Sequence, residues 1–254
     1  MNLKNRTILI TGGTAGIGLS FALKFIEHGN TVIVTGRRQA VLDAVKAKHP
    51  MLHTIQSDVA EPAQIVSLVA RIKKEFPNLD VLMNNAGISR YKNLSKCDSD
   101  LPGLMTEMNI NVGGVIRMTS AFIEILKANK GTLINVSSAL AFVPVPGIPI
   151  YCATKAAIHS YTQSLRFQLE GTGVEVIELM PPAVTTEMTE ELTKLKDMKM
   201  IGTGELIKQS FKALQKGELE IKPGQSSQLA FMRRVAPGFI NRQLWNASKS
   251  LIPA

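Results

Sequence analysis

Cysteine is scarce in this chain. Cys97 and Cys152 are the only two among 254 residues, too few for a disulfide framework, so a reducing compartment, the cytoplasm, is expected. Long apolar runs are missing. No stretch reaches the roughly 18 residues that a membrane span needs. Met1 to Gly13 holds only the short run Ile8-Leu9-Ile10 ahead of a glycine cluster, unlike a signal peptide. The four histidines, His28, His49, His53 and His159, lack metal-ligand spacing, so no metal is expected. Internal repeats, low-complexity tracts and a convincing linker are also absent, and with 45% hydrophobic and 19% charged residues the chain is too evenly mixed for disorder. One domain spanning 1–254 is expected. Finally, acids run out. None follows Glu220, whereas Lys222, Arg233, Arg234, Arg242 and Lys249 do.

The formal net charge is +9, with a pI near 9.6. Such a surplus fits nucleic acid, an anionic membrane, phosphorylated ligands, or a solvated Lys-rich surface. There is no nucleic-acid-binding motif and no dense basic stripe, which argues against the first.

What is present is alternation. Short apolar runs at Thr7–Thr11, Thr31–Thr35, Leu52–Gln56, Val81–Met83, Thr132–Val136, Val174–Leu179 and Leu219–Ile221 read as strands. Helical patterns lie between them, at about 16–28, 39–48, 62–76, 104–129 and 149–170. This order predicts an α/β fold: a doubly wound parallel sheet of the Rossmann type, about seven strands, helices on both faces. Residues 185–222 read as a mobile, partly helical lid over the substrate. Residues from 225 to 254 read as a helical tail broken at Pro237-Gly238.

Gly12, Gly16 and Gly18 lie between the first strand and the first helix. Glycines there permit a tight turn and close approach of a ligand to the backbone, and the helix N-terminus presents free N–H groups to a pyrophosphate. At the end of the second strand, where NAD enzymes place a ribose-binding acid, stands Gly36, followed by Arg37 and Arg38. A guanidinium fork suits a 2′-phosphate, so NADP is the expected cofactor, with NAD possible as a second. Tyr151 and Lys155, at i and i+4, share a helix face. A phenol beside an ammonium can act as proton donor and acceptor for a carbonyl/alcohol couple.

The spacing Thr-Gly-x-x-x-Gly-x-Gly, then Asn84-Asn85-Ala86-Gly87, Asn111-Val112-Gly113-Gly114, Ser137-Ser138 and Tyr151-x-x-x-Lys155, resembles the short-chain dehydrogenase/reductase family over about residues 5–190. That resemblance implies an NAD(P)-dependent oxidoreductase with a catalytic set of Asn111, Ser138, Tyr151 and Lys155. Tyr151 would be the general acid/base, Ser138 would hold the substrate oxygen, Lys155 would lower the Tyr151 pKa and hold the ribose, and Asn111 would position a relay water. It implies cofactor contacts from Gly12, Thr14, Gly16, Ile17, Gly18, Arg37, Arg38, Asp58, Val59, Asn85, Ala86, Gly87, Pro181, Val184 and Thr186, besides Tyr151 and Lys155. It also implies a homodimer or homotetramer joined through the helices bearing Asn111 and Tyr151. The alternative is a cofactor-binding regulator or scaffold without turnover.

Pro182 departs from the family's glycine, stiffening the loop and removing an N–H donor. The double proline and Tyr-Cys-Ala-Thr-Lys are most similar to a bacterial subgroup encoded beside the genes for teichoic-acid D-alanylation. Met188, Leu192, Leu195, Met198, Met200 and Ile201 in the lid, with Phe142, Val143, Val145 and Ile148, fit either an apolar substrate pocket or ordinary core. Cys152 reads as a small buried residue or a thiol near the site. The tail, with Phe239, Ile240, Leu244 and Trp245 among cations, could pack on a partner subunit, on its own domain, or on an anionic membrane.

Overall fold

The computed structural model describes residues 2–96, 101–194 and 199–252. Cys97, Leu195 and Met198 lie outside the described residues. Seven short runs pair in parallel: β1 (Thr7–Thr11), β2 (Thr31–Gly36), β3 (His53–Gln56), β4 (Val81–Asn84), β5 (Thr132–Val136), β6 (Glu175–Leu179) and β7 (Glu220–Ile221), in the order β3-β2-β1-β4-β5-β6-β7. The inner strands are apolar at nearly every position because both faces are covered. In β1, Ile8 and Ile10 join one core and Leu9 the other, as the two-residue strand period requires.

Helices α1 (Gly16–Glu27), α2 (Gln39–Lys48) and α3 (Pro62–Glu75) follow the first three strands. A short α4 (Leu101–Leu104) and a π-helical turn at Met108–Gly113 precede α5 (Gly114–Ala128). Then come α6 (Pro149–Gln168), α7 (Thr203–Gln215), α8 (Ser226–Val235) and α9 (Pro237–Ser248). One face of the sheet is covered by α1, α2 and α7, through Phe21, Phe25, Val45, Ile207 and Phe211. The other is covered by α3, α5 and α6, through Ile65, Leu68, Phe122, Leu126 and Leu165.

The structure refines two expectations and corrects one. The helix expected at 104–129 is present over 106–128 but holds a π-turn, in which Asn111 sits; Gly114 approaches so closely that a Cβ there would lie 2.7 Å from Val59 Cγ2. The stretch 185–222 is not one lid. Its α7 is a core helix, held by a ring cluster in which Phe211 lies 4.9 Å from Phe25 and 5.9 Å from Phe21 between centroids. Only the part before Thr203 stands near the site. Of the two readings open for the loop after Ser138, the core one holds: Val143, Val145 and Ile148 are buried, Phe142 packs edge-on against His159 at 5.0 Å, and none of the four lines the cavity described below. No described helix is long and apolar enough to cross a membrane.

Candidate active site

The strand order reverses between β1 and β4, so the loops leaving these strands diverge and open a crevice at their C-terminal ends. Gly12 and Gly16 have φ of +64° and +52°, where only glycine is unstrained, and they turn the chain from β1 into α1. Helix α1 has no side-chain N-cap and no acid in its first turn. Its first N–H groups therefore face the crevice without an internal partner.

The motif after β4 is what holds this loop. Thr11 Oγ1 accepts from the N–H groups of Asn85 and Ala86, each at 3.0 Å, and Asn85 Nδ2 donates to the carbonyls of Thr11 and Gly12, both at 3.0 Å. Gly18 lies beneath, where a Cβ would sit 2.5 Å from both Asn85 Nδ2 and Gly12 O. Asn84 ties β4 to β5 through Asn135 Oδ1 at 2.9 Å, and Asn135 in turn donates to Thr162 on α6 at 3.0 Å.

A cavity of about 650 Å³ runs along the crevice. At one end stand Gly36, Arg37, Arg38 and Asp58; at the other, Ser138, Tyr151 and Lys155; Gly12, Thr14, Gly16, Ile17, Val59, Asn85, Ala86, Gly87, Pro181, Val184 and Thr186 line the stretch between. Of the expected site residues, Gly18 and Asn111 do not reach the wall. Both support it. Asn111 is fully buried; its Nδ2 donates to Ile88 O at 2.9 Å and Thr154 Oγ1 at 3.1 Å, and its Oδ1 accepts from Ile88 N at 2.8 Å. It thus ties the segment after Gly87 to α6. Thr186 and its neighbour Thr185 are placed differently. Thr186 lines the cavity, whereas Thr185 bonds through its backbone N–H to Ile201 O at 3.0 Å.

At the inner end, Ser138 Oγ accepts from Leu140 N at 3.1 Å and stands close to the Tyr151 side chain at the cavity. Burial pushes the Tyr151 phenol well above its ordinary range; proximity to Cys152 adds to this, and the Ser138 hydroxyl opposes it. Lys155 Nζ donates to Val136 O at 2.9 Å and lies 5.4 Å from the Tyr151 ring centre. Burial lowers the Lys155 ammonium to about 8, against the pull of the Glu178 carboxylate. Cys152 Sγ is held by Val145, accepting from its N–H at 3.4 Å, and burial raises the thiol, which makes it an inert core residue.

Sequence reasoning missed a second polar layer. Glu178 on β6 is wholly buried, accepts from Ser137 Oγ, and lies 2.8 Å from His159 Nδ1. That bond raises the imidazole pKa against the opposing effect of burial. A lone glutamate within the apolar run Val176-Ile177-Glu178-Leu179 was the available signal. Glu107, also buried and raised by desolvation, accepts from Arg90 N at 3.1 Å; no local pattern marks it.

The arrangement can hold a long anionic dinucleotide along the glycine loop, with a phenol, a hydroxyl and an ammonium at its inner end. The short chain dehydrogenase family model matches residues 6–197. An uncharacterized oxidoreductase of Bacillus subtilis (strain 168), DltE, is 39% identical over 224 residues, 87% of this chain and 89% of that one. The NADP-dependent 3-hydroxy acid dehydrogenase YdfG of Escherichia coli O6:H1 is 34% identical over 179 residues, 70% of this chain and 72% of that one. A short chain dehydrogenase of Burkholderia cenocepacia J2315, solved in complex with NADP, superposes with a TM-score of 0.84 at 26% identity, covering 96% of this chain and 99% of that one. By the extent of the family match and by these identities, the chain belongs to the short chain dehydrogenase family.

Proposed function

We propose that this protein is an NADP-preferring oxidoreductase acting on the carbonyl/alcohol group of a small apolar substrate, with Tyr151 as the proton donor and acceptor. The observation that carries this reading is the single cavity that joins Arg37 and Arg38 at one end to Ser138, Tyr151 and Lys155 at the other. The residues present fit the dinucleotide. Gly12 and Gly16 line the cavity at positive φ, and Gly12 packs so tightly on the loop after β4 that a Cβ there would fall 2.9 Å from Ala86 Cα. The uncapped start of α1 offers N–H donors to a pyrophosphate. Arg37 makes only a loose ion pair with Asp58, at 4.0 Å, and its side chain is 60% exposed, so the guanidinium could turn to a 2′-phosphate.

When bound, the nicotinamide would supply or take up the hydride. The chain's own residues manage the proton and the charge. A phenol raised by burial stays protonated at neutral pH, the form required of an acid that donates to a carbonyl oxygen. Ser138 Oγ, already accepting from Leu140, keeps its own proton to donate to the same oxygen as negative charge develops. Lys155 supplies positive charge beneath the Tyr151 ring, favouring the phenolate once the proton has left. Asn111 is a positioning residue that fixes α6, and hence Tyr151 and Lys155, against the loop after β4. Met188 and Val184 put apolar surface at the cavity. A homodimer or homotetramer in the cytoplasm is part of this proposal; the exposed Ile116 on α5 and Phe167 on α6 support association through those helices.

The test is NADPH oxidation across a panel of apolar ketones and aldehydes, with Y151F alongside. Turnover by the native protein, lost in Y151F while NADPH affinity persists, is the expected result. Turnover retained in Y151F removes Tyr151 from its role.

A further inference from the structure

The proposed reaction leaves α8 and α9 unused, and both lie beyond the residues 6–197 shared with the family. One side of α9 belongs to the domain: Ile240 and Ser248 are buried, and Leu244 packs against the cluster of Val145, Ile148 and Cys152. The rest of the pair faces outward with large apolar side chains. Phe231 is 63% exposed, Phe239 55% and Trp245 43%, and Val235 is exposed as well. Arg233, Arg234, Arg242 and Lys249 stand among them, all exposed, and none has an ion-pair partner among the described residues. No Asp or Glu occurs anywhere after Glu220.

Two kinds of occupant would cover such a face, and charge separates them. A second copy related by a two-fold axis places the patch against itself. Here that would set four cations opposite four cations, with no carboxylate in the segment to relieve them. An anionic lipid surface offers every one of them a counter-charge. It also accepts Phe and Trp side chains at headgroup depth, while Arg stems lie flat and keep their guanidiniums in water. We propose that the outer face of α8 and α9 docks on an anionic phospholipid surface. The contact lies in the plane of the surface, since no described helix can span a membrane. Leu244 belongs to the same small cluster as Tyr151, so the thickness of one helix, about 10 Å, would separate the lipid from the wall of the candidate active site. The docking itself does not depend on the proposed chemistry.

Trp245 is the only tryptophan in the chain, which makes it an internal reporter. The full chain is mixed with vesicles of phosphatidylglycerol and phosphatidylcholine, or of phosphatidylcholine alone, at low and high salt. Co-sedimentation and Trp245 emission are then read. Binding to the anionic vesicles with a blue shift, weakened by salt and absent on phosphatidylcholine, is expected. Each cation near an anionic surface is worth about fivefold in affinity, so R233Q/R234Q/R242Q should weaken binding about a hundredfold. F239S/W245S should also weaken it, read by sedimentation. Both variants alter exposed positions, and unchanged circular dichroism and melting temperature establish that they fold. The proposal is overturned by no binding to anionic vesicles, by equal binding to both vesicle types, or by native-like binding of the triple variant. It is likewise overturned if, without lipid, the triple variant dissociates an oligomer that the native protein forms, which would make this face a subunit contact.

Discussion

Replacing Gly18 and Gly204 by alanine is the same chemical change on two helices, and the structure assigns it opposite signs. Alanine in a helix interior is favoured over glycine by about 0.8–1.0 kcal/mol. Gly204, in the first turn of α7, is exposed and has nothing within 4 Å of an added Cβ. G204A should gain part of that preference, a few tenths of a kcal/mol up to about 1. At Gly18 the added Cβ would sit 2.5 Å from Asn85 Nδ2 and 2.5 Å from Gly12 O. The second of these is backbone within a left-handed turn, φ +64°, and cannot swing aside. Overpacking of this kind costs about 1–3 kcal/mol. Displacing Asn85 also loosens its two bonds to Thr11 O and Gly12 O, about 0.5–1.5 kcal/mol each. The clash outweighs the helical preference, leaving G18A destabilised by about 1–5 kcal/mol. For a chain of this size that is a fall in Tm of roughly 2–20 °C. Thermal melts of the three proteins at one fixed concentration make the comparison, with NADPH titrations beside them. G18A should bind NADPH more weakly because Gly12 and Asn85 move, whereas G204A should bind as the native protein does. G18A melting at or above the native temperature would refute the reading of the loop.

Other outcomes follow from the same geometry. R37D, which restores an acid near the place Gly36 occupies and removes a guanidinium, should lower NADP affinity and raise NAD affinity; an unchanged ratio in paired titrations speaks against the 2′-phosphate assignment. E178Q should move the alkaline limb of the carbonyl-reduction profile to lower pH, because the Glu178 charge is what holds Lys155 up against burial, at about 8; a limb that stays put removes Glu178 from this role. The stability of E178Q should also depend on pH. His159 is raised above its ordinary value of about 6.5 by Glu178, so their bond stabilises the fold fully below that value and fades as pH rises through the folded pKa. The native protein's margin over E178Q should therefore be widest in acid and shrink toward alkaline pH, and melts showing the reverse would contradict the pairing.

Much of this architecture was legible because local chemistry and global position coincide. The strands are short Val/Ile runs bounded by Gly, Pro and polar residues, and a parallel sheet covered on both sides demands just that pattern. The glycine loop, Ser138, Tyr151 and Lys155 carried fixed spacings, and the crevice brings them together. The misreadings have separate causes. The helix around Asn111 is legible from its periodicity, but the π-turn within it, beside the close approach of Gly114 to Val59, is encoded by no local pattern. Helix α7 is masked in the sequence because the whole stretch 185–222 is rich in Lys, Glu, Thr and Met. Yet Ile207, Phe211 and Leu214 recur at i, i+4 and i+7, the spacing of a buried stripe. The Glu178–His159 pair depends on how β6 registers against β5 and α6, which is tertiary information.

The two serines that follow β5 show how one strand terminus serves two layers. Ser137 turns inward to the buried Glu178 carboxylate, and Glu178 in turn holds His159 on α6. Ser138, the next residue, turns to the opposite side and meets Tyr151 at the cavity. Successive side chains on an extended strand face opposite ways, so placing a hydroxyl in the site puts its neighbour beneath it. A buried polar neighbour there must find a partner, and Glu178 provides one while adding a negative charge that acts on Lys155 from below. The inner end of the cavity thus has its charge set from two levels. Tyr151, Ser138 and Lys155 line the cavity, and the wholly buried Glu178 lies one layer down, bonded to the half-buried His159.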